Sequence, residues 1–237
     1  MVSSYTPTVN SLLEKVKALS VGKSPAPSKV LLVSQPHTPG RSSIPETTRE
    51  INIVYEKLAI DTDTCKSLRL EGSVATVSQV EQEMETHGWV HLACHASQDT
   101  HSPLKSGFFL HDGRLELSEI MKLKISQCQL AYLSACQTST GDEKLSEEAV
   151  HLAAGMLAAG YQGVVATMWS IKDRYAPEVA ESFYEYLVVN GKNEGSPRLE
   201  GANAAYALHH ATQCLRKKIG DTEDALLTWV PYVHFGL

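Results

Sequence analysis

The chain has 237 residues, 43% of them hydrophobic and 20% charged. That is enough to bury one substantial core and excludes a fibrous or wholly disordered chain. The net charge of -6 excludes a non-specific nucleic-acid binder, because neutralising phosphates takes clustered Lys and Arg.

Met1 to Pro27 reads as a short amphipathic helix, with Leu12, Leu13, Val16 and Leu19 at helical spacing, and then a breaker segment from Gly22 to Pro27. Residues 1–27 are therefore expected to form a helix and linker, and 28–237 the domain proper. Lys29 to Ser34 is a compact β run. Pro45 to Leu58 is a predicted helix with Pro45 in its first turn and Ile51, Val54, Tyr55 and Leu58 on one face. Ser67 to Leu70 is a short strand and Ser78 to His87 is helical. Trp89 to Cys94 is an apolar run, as expected for a strand buried on both faces.

Gly107 to Glu116 reads as a hairpin turning at His111-Asp112-Gly113. Ser118 to Leu123 is a short helix capped by Ser118, and Leu130 to Ala135 a second buried strand. Glu147 to Ala159 is helical and stops at Gly160. Gly163 to Met168 is a strand, and Asp173 to Val189 and Leu199 to Ile219 are helices. The last of these carries Arg216, Lys217 and Lys218, the densest basic cluster, where cations suit a helix C-terminus. Leu226 to Phe235 is apolar and aromatic and is expected to pack on the body.

This alternation predicts an α/β fold, a mainly parallel sheet flanked by helices on both faces. In such sheets reactive groups collect at the carboxyl ends of the strands. Two strands end suggestively: Val90-His-Leu-Ala-Cys94 delivers His95, and Leu130-Ala-Tyr-Leu-Ser-Ala135 delivers Cys136. If these strands are parallel neighbours, the two residues sit one strand spacing apart, about 5 Å between backbones. That is the arrangement cysteine catalysis needs: the thiolate is the nucleophile, and an imidazole takes its proton and returns it to the leaving amine. Backbone N–H groups of Ala96 and Cys136 are candidate oxyanion donors. Taken singly, a Cys or a His at a strand end also reads as ordinary packing.

The gap between the two is 136 − 95 = 41 residues, near the roughly 50 that separate the pair in caspases. His91-Leu-Ala-Cys-His-Ala-Ser97, Leu133-Ser-Ala-Cys-Gln-Thr138 and the run Glu148 to Asp173 together resemble the CHAT-domain family, relatives of caspases, gingipains and separase, in its fungal TPR-associated type. The resemblance extends weakly to Tyr5-Thr-Pro-Thr8 and Trp229 to Gly236. It implies a caspase-like fold and a cysteine endopeptidase acting on protein or peptide substrates, with His95 and Cys136 as the dyad. It also implies upstream TPR repeats that regulate the domain. Ala96 departs from the family, where Gly commonly follows the histidine.

Asp173, after the strand at Gly163, has two readings. One, implied by the resemblance to these proteases, is that it lines an S1 pocket and pairs with a basic P1 side chain; the other is the N-cap of the next helix. A catalytically silent scaffold on the same fold remains the alternative to a peptidase.

His91, Cys94 and His95 do not make a zinc site, since residues 91 and 94 fall on opposite faces of a strand. His151, His209, His210, His101 and His111 read as packed or surface residues. No Gly-rich phosphate loop or serine-hydrolase motif is present, and no cofactor is implied. The five cysteines are odd in number and widely spaced, which fits a reducing, cytoplasmic setting. No apolar run spans about 20 residues, and the first seven residues do not form a secretory signal, so no membrane partner is expected. The Thr-, Ser- and Gly-rich loop from Gln137 to Ser146 is the expected mobile segment, and the loop from Gly191 to Arg198 a plausible nicking site.

Overall fold

The computed structural model describes residues 2–6, 28–59, 65–99, 101–125, 127–137, 148–193 and 199–236. The predicted helix at Leu12 to Leu19 and its linker lie outside these residues, as does the loop after Gln137.

Strand β1 (Ser28–Ser34) is followed by helix α1 (Glu46–Leu58), β2 (Cys65–Glu71), α2 (Val77–Met84) and β3 (Trp89–Ser97). A hairpin of β4 (Gly107–Phe109) and β5 (Arg114–Glu116) leads to α3 (Leu117–Ile120), β6 (Leu130–Gln137), α4 (Glu148–Ala158) and β7 (Gly163–Thr167). Helices α5 (Ala176–Asn193), α6 (Ala204–Ile219) and α7 (Glu223–Trp229) precede the last strand, β8 (Tyr232–Gly236). The sheet runs β2-β1-β3-β6-β7-β8, parallel except for the last pair. This is the predicted α/β sheet.

Each central strand splits its residues between two cores, because successive side chains alternate in face. Val90, Leu92, Cys94 and Ala96 of β3 join Val80, Met84, Leu117, Ile120, Leu152 and Met156 on one side. Trp89 and Ala93 join Ile51, Val54, Phe183, Tyr184, Leu208 and Leu215 on the other. Both faces are thus covered by helices, which explains why β1 and β3 read as continuous apolar runs.

Two local expectations are corrected and a third is extended. His95 and Cys136 lie inside their strands rather than just beyond them. The β4–β5 hairpin pairs Phe108 with Ala96 and Gly107 with Ser97, so the ladder runs two residues past His95. Helix α3 starts at Leu117 instead of at a Ser118 cap. The Glu119 carboxylate accepts the Glu116 backbone N–H at 3.0 Å, so two glutamates organise that turn. Finally, Leu226 to Phe235 does more than pack on the body: it contributes β8, antiparallel to β7 from Thr167↔Tyr232 to Gly163↔Gly236. The outer edge of β8 is met by Tyr5, whose N–H donates to His234 O at 2.9 Å and whose carbonyl accepts from Gly236 N at 2.7 Å. Pairing of this kind keeps an edge strand from templating other chains.

Candidate active site

The register of β3 and β6 sets His95 directly opposite Cys136, and Ala96 opposite Gln137. The two predicted strands are therefore parallel neighbours, the condition on which their juxtaposition depended.

His95 is fully buried. Its Nε2 lies 2.7 Å from the backbone carbonyl of Ser42, in the loop between β1 and α1. A carbonyl only accepts, so Nε2 carries the proton and Nδ1 offers a lone pair. Among the described residues, Nδ1 has no hydrogen-bond partner. A ring held at one nitrogen and open at the other can take up a proton without first breaking a bond there.

The Ser42 carbonyl is held by its neighbours on both sides. The Arg41 guanidinium stacks on the Phe109 ring, 3.7 Å from its centroid, which ties the loop to the hairpin beyond β3. The Arg41 N–H donates to Thr38 O at 3.1 Å, and the Ile44 N–H to Pro36 O at 3.0 Å. Burial, then the nearby Arg114, lowers the Arg41 pKa from its ordinary value.

Asp173 lies in a short 3-10 turn, Asp173–Tyr175, just before α5. Its carboxylate does not cap that turn. Oδ2 accepts instead from the backbone N–H of Glu46, the first residue of α1, at 3.2 Å. The carboxylate therefore satisfies one of the orphan donors of a different helix. Burial raises the Asp173 pKa above the usual carboxylate value. The bond from Glu46 N–H opposes that shift, the Glu46 and Glu50 charges add to it, and nearby His95 opposes it.

Ala96 sits between Phe108 of β4 and Gln137 of β6. Its φ is not positive, because Gln127 is the non-glycine residue with φ above zero among those described. The departure from Gly at this position carries no backbone strain.

A buried polar group that the sequence reading missed lies on the same side of the sheet. Glu50 of α1 and His91 of β3 are fully buried and 2.9 Å apart. Ser134 of β6 also reaches Glu50, at 2.9 Å. The signal was present: Glu50 falls on the stripe Thr47, Ile51, Val54 and Leu58, all of which are buried. Tyr55, read as part of the apolar face, is 39% exposed.

His91 and Cys94 belong to opposite faces, as expected. Among the described residues no three His, Cys, Asp or Glu side chains gather as a metal site. The thiols of Cys65 and Cys94 are buried, and burial pushes the Cys128 thiol up. Cys214 on α6 is partly exposed and lies 3.5 Å from His210 Nε2. No described helix is long and apolar enough to cross a membrane.

The family model described as CHAT domain matches residues 2–237. Comparison with curated proteins found no match. The Arg-specific cysteine proteinase gingipain R superposes with a TM-score of 0.64 at 11% identity, covering 96% of this chain and 51% of that one. A complex of the pro- and mature domains of the Porphyromonas gingivalis enzyme superposes with a TM-score of 0.55 at 11% identity, covering 89% and 47%. The chain spans about half the length of these solved structures. The likeness is one of fold, a caspase-like sheet.

Proposed function

Because the chain belongs to the CHAT-domain family, we propose that it is a cysteine endopeptidase in which Cys136 is the nucleophile and His95 its base. The observation that carries this reading is the register pairing of the two residues, with His95 Nε2 engaged by Ser42 O. In the proposed step the Cys136 thiol gives its proton to His95 Nδ1. The thiolate attacks the scissile carbonyl carbon, and a C–S bond forms as the carbonyl π pair moves to oxygen. The imidazolium then protonates the leaving amine as the C–N bond breaks. Water hydrolyses the thioester and restores the thiol. Backbone N–H groups of Ala96 and Cys136 are proposed to stabilise the oxyanion; Ala96 lies within a three-strand stretch, so its N–H would be shared with the ladder.

Asp173 is proposed to receive a basic P1 side chain. Its carboxylate is only partly buried and spends one oxygen on Glu46 N–H, which leaves acceptor capacity for a guanidinium. The name of the gingipain neighbour, Arg-specific, agrees with this reading. We further propose that upstream TPR repeats regulate the domain and that it works in a reducing, intracellular compartment, where a free nucleophilic thiol persists.

The direct test is a peptide library with varied P1, incubated with wild type and with Cys136→Ala. Cleavage after Arg or Lys by wild type only is the expected result. Cleavage by both proteins, or by neither, contradicts the reading and turns attention to a scaffold role.

A further inference from the structure

Beneath the paired tips of β3 and β6 lies a buried polar cluster that the proposed chemistry does not use. Glu50 Oε1 accepts from His91 Nε2 at 2.9 Å, and Glu50 Oε2 accepts from Ser134 Oγ at 2.9 Å. Across the imidazole, His91 Nδ1 faces the Tyr184 hydroxyl at 3.2 Å. Burial, then the charge of Glu50 and the nearby Cys65, raises the Tyr184 pKa well above its ordinary value, so the phenol keeps its proton. The assignment that satisfies every atom is a chain. Tyr184 O–H donates to His91 Nδ1, His91 Nε2–H donates to Glu50, and Ser134 O–H donates to the other Glu50 oxygen.

Burying a carboxylate between a helix and a sheet is costly unless its oxygens are paired. An apolar residue at position 50 would continue the Thr47, Ile51, Val54 and Leu58 stripe without that cost. What the carboxylate adds is geometry, with one oxygen on each of two adjacent strands. Ser134 precedes Cys136 by two residues, and the pairs Ala93↔Ser134 and His95↔Cys136 follow one another along the strands. The helix carrying Glu50 also follows directly on the loop whose Ser42 carbonyl holds His95.

We infer that Glu50 is a positioning residue: its carboxylate clasps β3 to β6 and seats α1, which sets the Ser42 carbonyl, the His95 ring and the Cys136 backbone relative to one another. The inference rests on the peptidase reading above for its consequence in catalysis.

The test compares wild type, Glu50→Gln and Ser134→Ala in two readouts. One is the His95 tautomer, from nitrogen shifts of histidine-labelled protein. The other is the rate of Cys136 alkylation by a peptide ketone with Arg at P1. Glu50→Gln turns one acceptor into an NH2 and breaks one arm of the clasp. Ser134→Ala removes only the β6 arm and keeps the test open if the first variant folds poorly. The expected result is loss of the single Nε2–H tautomer in Glu50→Gln, with alkylation slowed at least about ten-fold, the worth of a hydrogen bond to a charged group. Ser134→Ala should slow it about five-fold, the worth of one hydrogen bond. A lowered melting temperature with His95 tautomer and alkylation rate unchanged would make Glu50 purely structural and overturn the inference. If wild-type Cys136 reacts no faster than in His95→Ala, the peptidase reading fails instead, and the tautomer still decides whether Glu50 positions His95.

Discussion

His95 donates from Nε2 to the main-chain carbonyl of Ser42 across 2.7 Å. The group that fixes the tautomer of the proposed base is thus a backbone atom, on an exposed residue whose side chain is not involved. Ser42→Ala should leave peptide cleavage within about two-fold of wild type, as for ordinary surface substitutions. Arg41→Ala, which removes the stack on Phe109 and loosens the same loop, should lower kcat more than it raises KM. Steady-state kinetics on the two variants separate the cases; a large loss in Ser42→Ala would mean that the hydroxyl has a role.

Asp173 gives a pH prediction with a definite sign. Its folded-state pKa is raised, so the fold favours the protonated form. The stability this contributes is present below the unfolded-state pKa and is lost as pH rises through the folded one. Asp173→Asn should therefore be at least as stable as wild type near neutral pH, with the difference closing toward acid, because an amide oxygen still accepts from Glu46 N–H. For activity the direction reverses: preference for Arg over a neutral P1 should fall as acid protonates Asp173. Thermal melts and P1 panels between pH 4 and 8 check both; an unchanged P1 preference in Asp173→Ala removes it from the specificity pocket.

Gly107 carries a prediction about the hairpin that extends β3 past His95. A Cβ at this position would lie 2.3 Å from Leu115 O and 2.9 Å from the Glu116 Cα, both main-chain atoms that cannot step aside. Gly107→Ala should cost about 2 kcal/mol, in the range of forced overpacking, or a fall of about 4–8 °C in Tm for a chain of this size. A Tm unchanged by calorimetry would mean that the hairpin separates from the β3 ladder.

Much of this architecture is legible in the sequence because it is local. Apolar runs mark β1, β3, β6 and β7, and the two strands that carry His95 and Cys136 prove to be neighbours. What was not legible depends on partners distant in the chain. The hairpin keeps His95 inside a strand through pairing with Phe108 and Gly107, which no pattern at residues 89–97 announces. The Ser42 carbonyl has no side-chain signature. Asp173 reads as a cap for the helix that follows it, yet it bonds the start of α1, 127 residues away in sequence. Glu50 drew no reading of its own, although its place on the buried stripe of α1 pointed inward.

Thiol chemistry outside the site is also predictable. Cys65 and Cys94 are buried, burial suppresses the Cys128 thiolate, and Cys214 is partly exposed beside His210. A small alkylating reagent should therefore modify Cys214 in addition to Cys136. Peptide mapping after brief iodoacetamide treatment checks this; modification of Cys94 in native protein would contradict the packing of β3.

The central claim is that His95 activates Cys136. Its most direct test is intact-mass labelling by a peptide ketone with Arg at P1, in a Cys214→Ser background that removes the competing thiol. The account predicts one adduct on that protein, none after adding Cys136→Ala, and a much slower reaction after adding His95→Ala. Labelling that persists without Cys136, or that proceeds at the same rate without His95, would contradict it.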